Sequence, residues 1–314
     1  MQVKWHGLLS AIRELPGGGP QGCLLGQLMY SSQANDSGNC VQDADRFKFV
    51  DDLSLLELIN LLAIGLIQYN LKEHVPSDII VGSLFLPSSN CQSQKILDNV
   101  AQWTEEKKMK LNEDKTKFMI FNFTKNYQFD TRLHLNSRII EKVEHTKLLG
   151  TIISSDLSWR RNTQFIIQKA YKRLEIIRKL YEFDVPTYDL VNIYTLYVRS
   201  ILEFNSCVWH FSITQEESLD IERVQKNSLR LILKEQYTSY ENALRLTNLQ
   251  SLHTRRTILC ERFAIKCTKN PRTSDMFPPD NSRHSNKYQV NFARHDRLLY
   301  SAIPQMQRIL NQTK

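Results

Sequence analysis

The stretch that most constrains the fold of this chain is a pair of neighbouring carboxylates, Asp51 and Asp52, set between two apolar runs. Residues 46–50 and 53–56 are rich in apolar side chains, a pattern that predicts two strands joined by a tight turn. Neighbouring side chains of a regular strand point to opposite faces, but at a turn both carboxylates can lean toward one point. The stretch therefore predicts either a solvated hairpin turn, in which Asp is common, or a site for a hard cation such as Mg²⁺.

The composition is that of an ordinary globular protein with a basic excess. The 314 residues can form a sizeable core and one to three domains, and 41% of them are hydrophobic while 24% are charged. A formal net charge of +8 favours a polyanionic partner, although a basic excess of this size is also common as plain solvated surface. The composition thus leaves nucleic-acid binding open without requiring it.

The six cysteines provide no metal or disulfide framework. They form no C-x-x-C pair, so the spacing of zinc fingers and zinc knuckles is absent. Two cysteines and two downstream histidines are spaced too widely to indicate a metal site: Cys260, Cys267, His284 and His295. Because reduced thiols are typical of nuclear and cytoplasmic proteins, we expect an intracellular chain.

The sequence has the pattern of neither a secretion signal nor a membrane span. Residues 1–16 lack the apolar stretch of a signal peptide. The most hydrophobic window, residues 53–67, is too short for a bilayer and contains Glu57 and Asn60. We therefore expect a protein that is not secreted and has no membrane partner.

A glycine-rich block at residues 16–26 satisfies the dinucleotide-binding pattern G-x-G-x-x-G only literally. No strand pattern precedes it, Pro20 stands inside the loop, and no βαβ unit follows, so we reject a dinucleotide site. The remaining prediction is a glycine loop that allows close backbone approach and enters a helix near Pro20. That helix has an apolar face at helical spacing.

A second candidate site lies where a charged turn meets the apolar strand pattern of residues 118–121. Lys115 and Lys117 stand at the start of that strand, and the basic turn is either solvated or placed to bind an anion. Farther on, Asn136-Ser137 predicts a hairpin. Residues 147–153 predict a strand, in which Gly150 marks a bulge or a close backbone approach.

From residue 162 the periodicity becomes helical, with a break at Val185-Pro186. Three apolar stripes define the helices: Ile167, Ala170, Tyr171, Leu174, Ile177 and Tyr181; Leu190, Tyr194, Tyr197, Val198 and Ile201; Ile221, Val224, Ser228 and Ile232. The third helix also carries basic residues: Arg223, Lys226, Arg230 and Lys234. Two more helices are expected between residues 240 and 267, then a short helical tail broken at Pro304.

Five blocks, in this order along the chain, resemble motifs of reverse transcriptases. Residues 20–22 match the P-Q-G of the G-x-P-Q-G motif, and Phe49-Val50-Asp51-Asp52 resembles the F/Y-x-D-D core. Residues 111–117 are similar to L-N-x-x-K-T-K, and residues 147–150 to the K-x-L-G strand. Residues 154–159 look like the segment that leaves the palm domain. Together they resemble the non-LTR retrotransposon (LINE, jockey-like) family.

The resemblance implies an α+β fold of the right-hand polymerase kind. Residues 1–159 would form a partial palm, an antiparallel sheet with helices, and residues 160–235 an all-helical thumb-like region. Residues 236–314 would be a helical C-terminal extension with a flexible linker near residues 270–290. Part of residues 197–226 resembles the region that follows the polymerase in the family.

The implied activity is RNA-directed DNA polymerisation by two-metal nucleotidyl transfer. Asp51 and Asp52 would be the catalytic residues and would bind Mg²⁺, and the partners would be an RNA template, a DNA primer and deoxynucleoside triphosphates. The implied nucleotide-binding positions are Pro20, Gln21, Gly22 and Lys115. The implied primer-positioning residues are Leu148, Leu149 and Gly150.

One departure from the family pattern bears on activity. The family's first catalytic Asp precedes the glycine block, and residues 1–15 contain no Asp. We therefore expect a fragment with little or no polymerase activity alone. The alternatives are a non-catalytic nucleic-acid-binding remnant of a mobile element, acting through its basic helices, and a relic without a selected function.

Overall fold

The computed structural model describes four short strands by their backbone, at residues 4–5, 8–9, 45–49 and 52–56, and then residues 92–106, 111–122, 132–280, 287–293 and 295–312. The chain divides into two compact units, residues 1–144 and 145–314. Its described residues form helices and small two-stranded sheets, with helices predominant. A mixed α and β fold is thus confirmed, and the domain bounds at 159 and 235 stay predictions.

The first unit begins with two antiparallel strand pairs. β1 (Lys4–Trp5) pairs with β2 (Leu8–Leu9), and β3 (Asp45–Phe49) pairs with β4 (Asp52–Leu56). The second pair confirms the strand and the returning strand predicted around the Asp pair, but Asp52 belongs to the returning strand and not to the turn. The glycine block of residues 16–26, and the helix predicted after it, lie outside the described residues.

Helix α1 (Gln92–Glu106) packs on a β-hairpin, β6 (His134–Leu135) and β7 (Arg138–Ile139). The Gln94 side chain bonds to both backbone groups of His134, at 2.8 Å each. Asn136 and Ser137 have φ of 48° and 69°, as a type I′ turn requires, so the predicted hairpin is confirmed. β5 (Lys117–Phe118) pairs in parallel with β8 (Glu141–Lys142).

The second unit starts with an antiparallel hairpin, β9 (His145–Leu148) and β10 (Thr151–Ser154). Leu149 and Gly150 form its turn, with φ of 45° and 88°. The prediction of one strand through residues 147–153 is therefore wrong. The apolar run on both sides of Gly150 looks continuous in sequence, but two successive positive φ values reverse the chain.

The first helices of the second unit are α2 (Arg160–Glu182), α3 (Thr187–Ile193) and α4 (Ser200–Glu203), with a π-helical turn at Tyr194–Arg199 between the last two. Pro186 is the N-cap of α3, which confirms the predicted break. The π turn has a wider period than an α-helix, so Tyr194 and Val198 are buried while Tyr197 is half exposed. The prediction that placed Tyr197 in the apolar stripe is wrong for this reason.

Short helix α5 (Ser206–Trp209) precedes the long helix α6 (Gln215–Leu233), which ends in a 3₁₀ turn at Lys234–Gln236. Thr214 and Glu217 form a capping box at the start of α6. Buried side chains of α2, α3 and α6 make the main core, around Trp209. The first and third predicted stripes lie on this core as expected, with Ile166 buried beside Ala170 in the first.

The chain continues through α7 (Tyr240–Thr247) and α8 (Leu252–Lys269), which confirm the two helices predicted there. Residues 270–280 contain a 3₁₀ turn at Ser274–Met276 and bury Phe277. Helices α9 (Asp296–Leu299) and α10 (Ala302–Gln312) follow. No helix in the described part of the chain is long and apolar enough to cross a membrane.

The helical tail is broken at residues 300–301, between α9 and α10, and not at Pro304 as predicted. Pro304 lies in the first turn of α10 and its side chain is buried. Residues of a first helical turn have no intrahelical acceptor for their N–H groups, so the missing N–H of proline removes no hydrogen bond there.

Candidate nucleic-acid interface

The β3–β4 strand pair contains one member of the predicted Asp pair, Asp52. In the β3–β4 pair, Phe49 stands opposite Asp52, so Asp52 begins the returning strand. Asp51 and the side chain of Asp52 lie outside the described residues. Two carboxylates at a chain reversal have the donor chemistry that Mg²⁺ accepts. Elsewhere in the described residues, no group of three or more His, Cys, Asp or Glu side chains could hold a metal ion.

Of the predicted nucleotide-binding residues, the structure describes only Lys115; Pro20, Gln21 and Gly22 lie outside the described residues. Asn112 forms the turn that presents this lysine, since its side-chain Oδ1 and its carbonyl both accept from the Lys115 N–H at 3.2 Å. Lys115 is exposed, whereas Lys117 pairs with Glu141 at 2.8 Å. Lys115 is thus the more available of the two cations for an anion.

The predicted primer-positioning residues form the tip of the β9–β10 hairpin, with Leu148 ending β9 and Leu149 and Gly150 in the turn. Asn205 holds this tip by donating from Nδ2 to Thr151 Oγ1 at 2.8 Å. A Cβ atom added to Gly150 would lie 2.8 Å from Cε1 of Phe204. The close approach that Gly150 allows is therefore used by a ring of the same chain.

Substituting Gly150 by Ala is expected to lower the free energy of unfolding by about 1–2 kcal/mol, mainly because an L-residue at positive φ is strained. The Phe204 ring is 47% exposed and can turn aside, so the steric contribution is the smaller one. Urea unfolding of G150A, F204L and the double variant separates the backbone strain from the steric contact with the Phe204 ring. A coupling energy as large as the loss measured for G150A alone would show that the ring, and not the backbone, sets the cost.

Two groups of cations can be distinguished in the second unit, residues 145–314, which we call the helical unit. The first group is neutralised by carboxylates: Arg223 pairs with Asp220 at 2.7 Å, and Arg199 and Arg255 share Glu203 at 3.6 and 3.0 Å. The second group faces aromatic rings. The positive charges of the second group are not compensated by a negative charge, because an aromatic ring has no net charge.

Three members of the second group stand at intervals of four residues, Lys226 and Arg230 in α6 and Lys234 directly after it. Lys226 Nζ lies 5.0 Å from the Tyr240 ring centroid, and Arg230 Cζ lies 5.2 Å from that of Tyr237. Lys234 Nζ lies 3.3 Å from the ring centroid of Tyr181. We refer to Lys226, Arg230 and Lys234 with these tyrosines as the tyrosine-backed row. No carboxylate of the described residues lies within 4.0 Å of these three cationic groups.

Helix packing brings Tyr181 to Lys234 across 53 positions of the printed sequence. Helices α2 and α6 run parallel, since Thr163 bonds to Glu217 near their starts and Tyr171 to Asn227 farther along. Lys234 ends α6 with a φ of 44°, an uncommon conformation for a lysine. That conformation carries its side chain over the end of α2.

Tyr240 is held in place by a buried polar cluster. Its hydroxyl donates to Glu222 and accepts from Gln225 Nε2 at 2.8 Å. Burial, together with the hydrogen bond to Glu222, raises the pKa of Tyr240 well above its ordinary value, so the ring stays neutral. Glu222 also accepts the N–H groups of Leu252 and His253 at 3.0 and 3.2 Å, which caps α8.

A buried cation continues this cluster on α8. Arg256 is fully buried over Trp209 and donates from Nε to His210 Nδ1 at 3.2 Å. His210 therefore accepts at Nδ1, carries its proton on Nε2, and can donate that proton to Thr257 Oγ1 at 3.0 Å. Burial lowers the pKa of His210 to about 3, helped by the charges of Arg256 and His253. Burial also lowers the pKa of Arg256 to about 10, so it remains protonated at neutral pH.

The sequence predicted the basic residues of α6 but not which of them keep their charge. The spacing of four residues between Lys226, Arg230 and Lys234 places them on neighbouring turns of one helix, and this signal is visible in the sequence. Arg223 looks equivalent in sequence, yet it is neutralised by Asp220. The tyrosine partners depend on packing between helices and have no such local signal.

Neither a protein-family model nor a curated protein nor a solved structure matches this chain.

Proposed function

We propose that this chain is part of an RNA-directed DNA polymerase, a reverse transcriptase of the non-LTR retrotransposon kind. The observation that supports the proposal is the antiparallel β3–β4 pair, whose first strand ends at Phe49 and whose returning strand begins at Asp52 of an F/Y-x-D-D-like motif. The order of the other four motif-like blocks supports it. In this proposal residues 1–159 are part of a palm and residues 160–235 are thumb-like.

The proposed roles follow from the chemistry of the residues. Asp51 and Asp52 hold Mg²⁺, which when bound neutralises the triphosphate and activates the primer hydroxyl. Lys115 binds the phosphates of the deoxynucleoside triphosphate as an exposed cation on a short turn. Pro20, Gln21 and Gly22 shape the nucleotide site. The hairpin tip at residues 148–150 lies beside the primer end, with Phe204 behind it.

The carboxylate assignment predicts metal-dependent nucleotide binding. With Mg²⁺ present, D51A and D52A are each expected to weaken binding of a fluorescent deoxynucleoside triphosphate about tenfold or more, because a ligand of a hard cation is lost. D36A is the matched control and should bind as the wild type does. Equal binding by all four proteins would contradict the assignment.

The same proteins test activity on an RNA template with a DNA primer. No extension is expected from the chain alone, since no Asp precedes Asp36 in the sequence to complete the two-metal site. Mg²⁺-dependent extension that D51A abolishes would show instead that the carboxylates present are sufficient.

A second candidate function is non-catalytic nucleic-acid binding by the helical unit. The observation that favours it is the group of cations on α6 that face rings instead of carboxylates. This function predicts binding to a template–primer duplex that weakens with salt and survives D51A. Binding independent of salt would contradict it.

A further inference from the structure

We propose that the tyrosine-backed row is a contact surface for the phosphate backbone of nucleic acid and binds it without regard to base sequence. The inference rests on the proposed nucleic-acid function and identifies where the helical unit would make that contact. It concerns Lys226, Arg230 and Lys234 on one helix, whose charges no described carboxylate offsets within 4.0 Å.

The first support is the contrast within α6 itself. Arg223 lies one turn before Lys226, and Asp220 holds it at 2.7 Å. Arg223 must break this ion pair to bind another anion, whereas the cations of the row must break none. A cation over a tyrosine ring keeps its full charge and is attracted only weakly, by about 0.5–1 kcal/mol at an exposed site. A phosphate can therefore bind it without first displacing an acid.

The second support is the spacing. Four residues of an α-helix rise by about 6 Å, so the backbone positions of Lys226, Arg230 and Lys234, the residue directly after α6, extend over about 12 Å. One strand of a duplex carries a phosphate about every 3.4 Å along its axis. The row therefore spans about three or four phosphates. Nucleic acid carries its phosphates at regular intervals, whereas the carboxylates of a folded acidic protein are irregularly spaced. Cations at regular intervals therefore fit nucleic acid better.

The third support is that the side chains of the row are already ordered before a ligand binds. The Tyr240 ring is fixed by Glu222 and Gln225, and the backbone of Lys234 is held at a φ of 44°. Side chains already ordered on rings lose less rotamer freedom on binding. Because cations cover the ring faces, the tyrosines of the row do not offer those faces to bases. The contact is therefore electrostatic and independent of sequence.

The experiment measures the anisotropy of a fluorescein-labelled RNA–DNA template–primer duplex with the full chain, from about 50 to 300 mM NaCl. Each phosphate contact adds about 0.9 to the slope of log K against log salt. R230Q is expected to lower the slope by about 0.9, and the triple variant K226Q/R230Q/K234Q by about 2.7, with at least tenfold weaker binding at about 100 mM salt. Two duplexes of unrelated sequence should give the same losses.

Two variants act as controls. R223Q removes one charge from the same helix, but that charge is already paired, so the slope should stay at the wild-type value. R230K keeps the charge and should keep the slope. Far-UV circular dichroism checks that each variant is folded, and if the triple variant unfolds, R230Q against R230K decides.

Each other outcome overturns the proposal. If the wild type binds but its slope is unchanged in folded R230Q and triple variants, the row is not the contact, although nucleic-acid binding stands. If the wild type binds no duplex, the proposed nucleic-acid function fails as well. If the row variants lose binding only to phosphatidylserine vesicles, the row serves an anionic membrane surface.

Discussion

Replacing Glu222 by Ala is expected to lower the free energy of unfolding of the helical unit by about 3–5 kcal/mol, the range found when one member of a buried charged interaction is removed. Glu222 is buried and accepts hydrogen bonds from the N–H groups of Leu252 and His253 and from the Tyr240 hydroxyl. E222A leaves all three donors without this acceptor, and each buried unsatisfied group costs about 1–3 kcal/mol. It also removes a negative charge from the start of α8.

Urea unfolding followed by far-UV circular dichroism measures this loss. E222Q keeps an acceptor oxygen and should lose less than E222A. The matched control is E216A, which removes an exposed carboxylate from the first turn of the same helix and should cost no more than about 1 kcal/mol. Equal losses for E222A and E216A would show that the buried cluster does not stabilise the packing of α6 against α8.

Acidification from pH 7.5 to 5.0 is expected to lower the free energy of unfolding by about 2 kcal/mol through His210 alone. The pKa of His210 is lowered to about 3 from 6.5 by burial first, and then by Arg256 and His253. Between these two pH values the unfolded chain binds a proton that the folded chain does not, so stability falls as the pH falls. A shift of one pKa unit corresponds to about 1.36 kcal/mol.

The pH dependence of unfolding in H210Q isolates this contribution. H210Q should show a shallower fall between pH 6.5 and 4, even if it is less stable at every pH, because the proton uptake of the unfolded state is lost. H145Q removes an exposed histidine of β9 and should leave the fall unchanged. Identical pH profiles for H210Q and the wild type would show that His210 binds its proton over the same pH range in the folded and the unfolded chain.

Local patterns predicted most of the described helices because their causes are local. The apolar stripe from Ala170 to Ile177 repeats at helical spacing, and burial of that face favours the helix. Pro186 cannot continue the helix before it, so the break was predictable. The Asn136-Ser137 turn follows from residue types that tolerate positive φ.

The failures share a different cause. Leu149-Gly150 reverses the chain within an apolar run, the π turn rotates Tyr197 outward, and Pro304 starts a helix at a position where its missing N–H has no consequence. In each case several conformations fit the local residues equally well. The surrounding structure selects among them, as with Asn205 and Phe204 around the hairpin tip.

The candidate sites also contain features with local causes and features that depend on the tertiary structure. The sequence alone was enough to place Asp52 at a strand reversal and to identify a basic helix, because chain direction and helical spacing depend on neighbouring residues. Only the tertiary structure distinguishes Arg223, which Asp220 neutralises, from Arg230, which faces Tyr237. Likewise, only helix packing brings Tyr181 to Lys234. The charge that a side chain presents to a partner depends on what lies beside it in space, and residues far apart in sequence supply much of that surrounding.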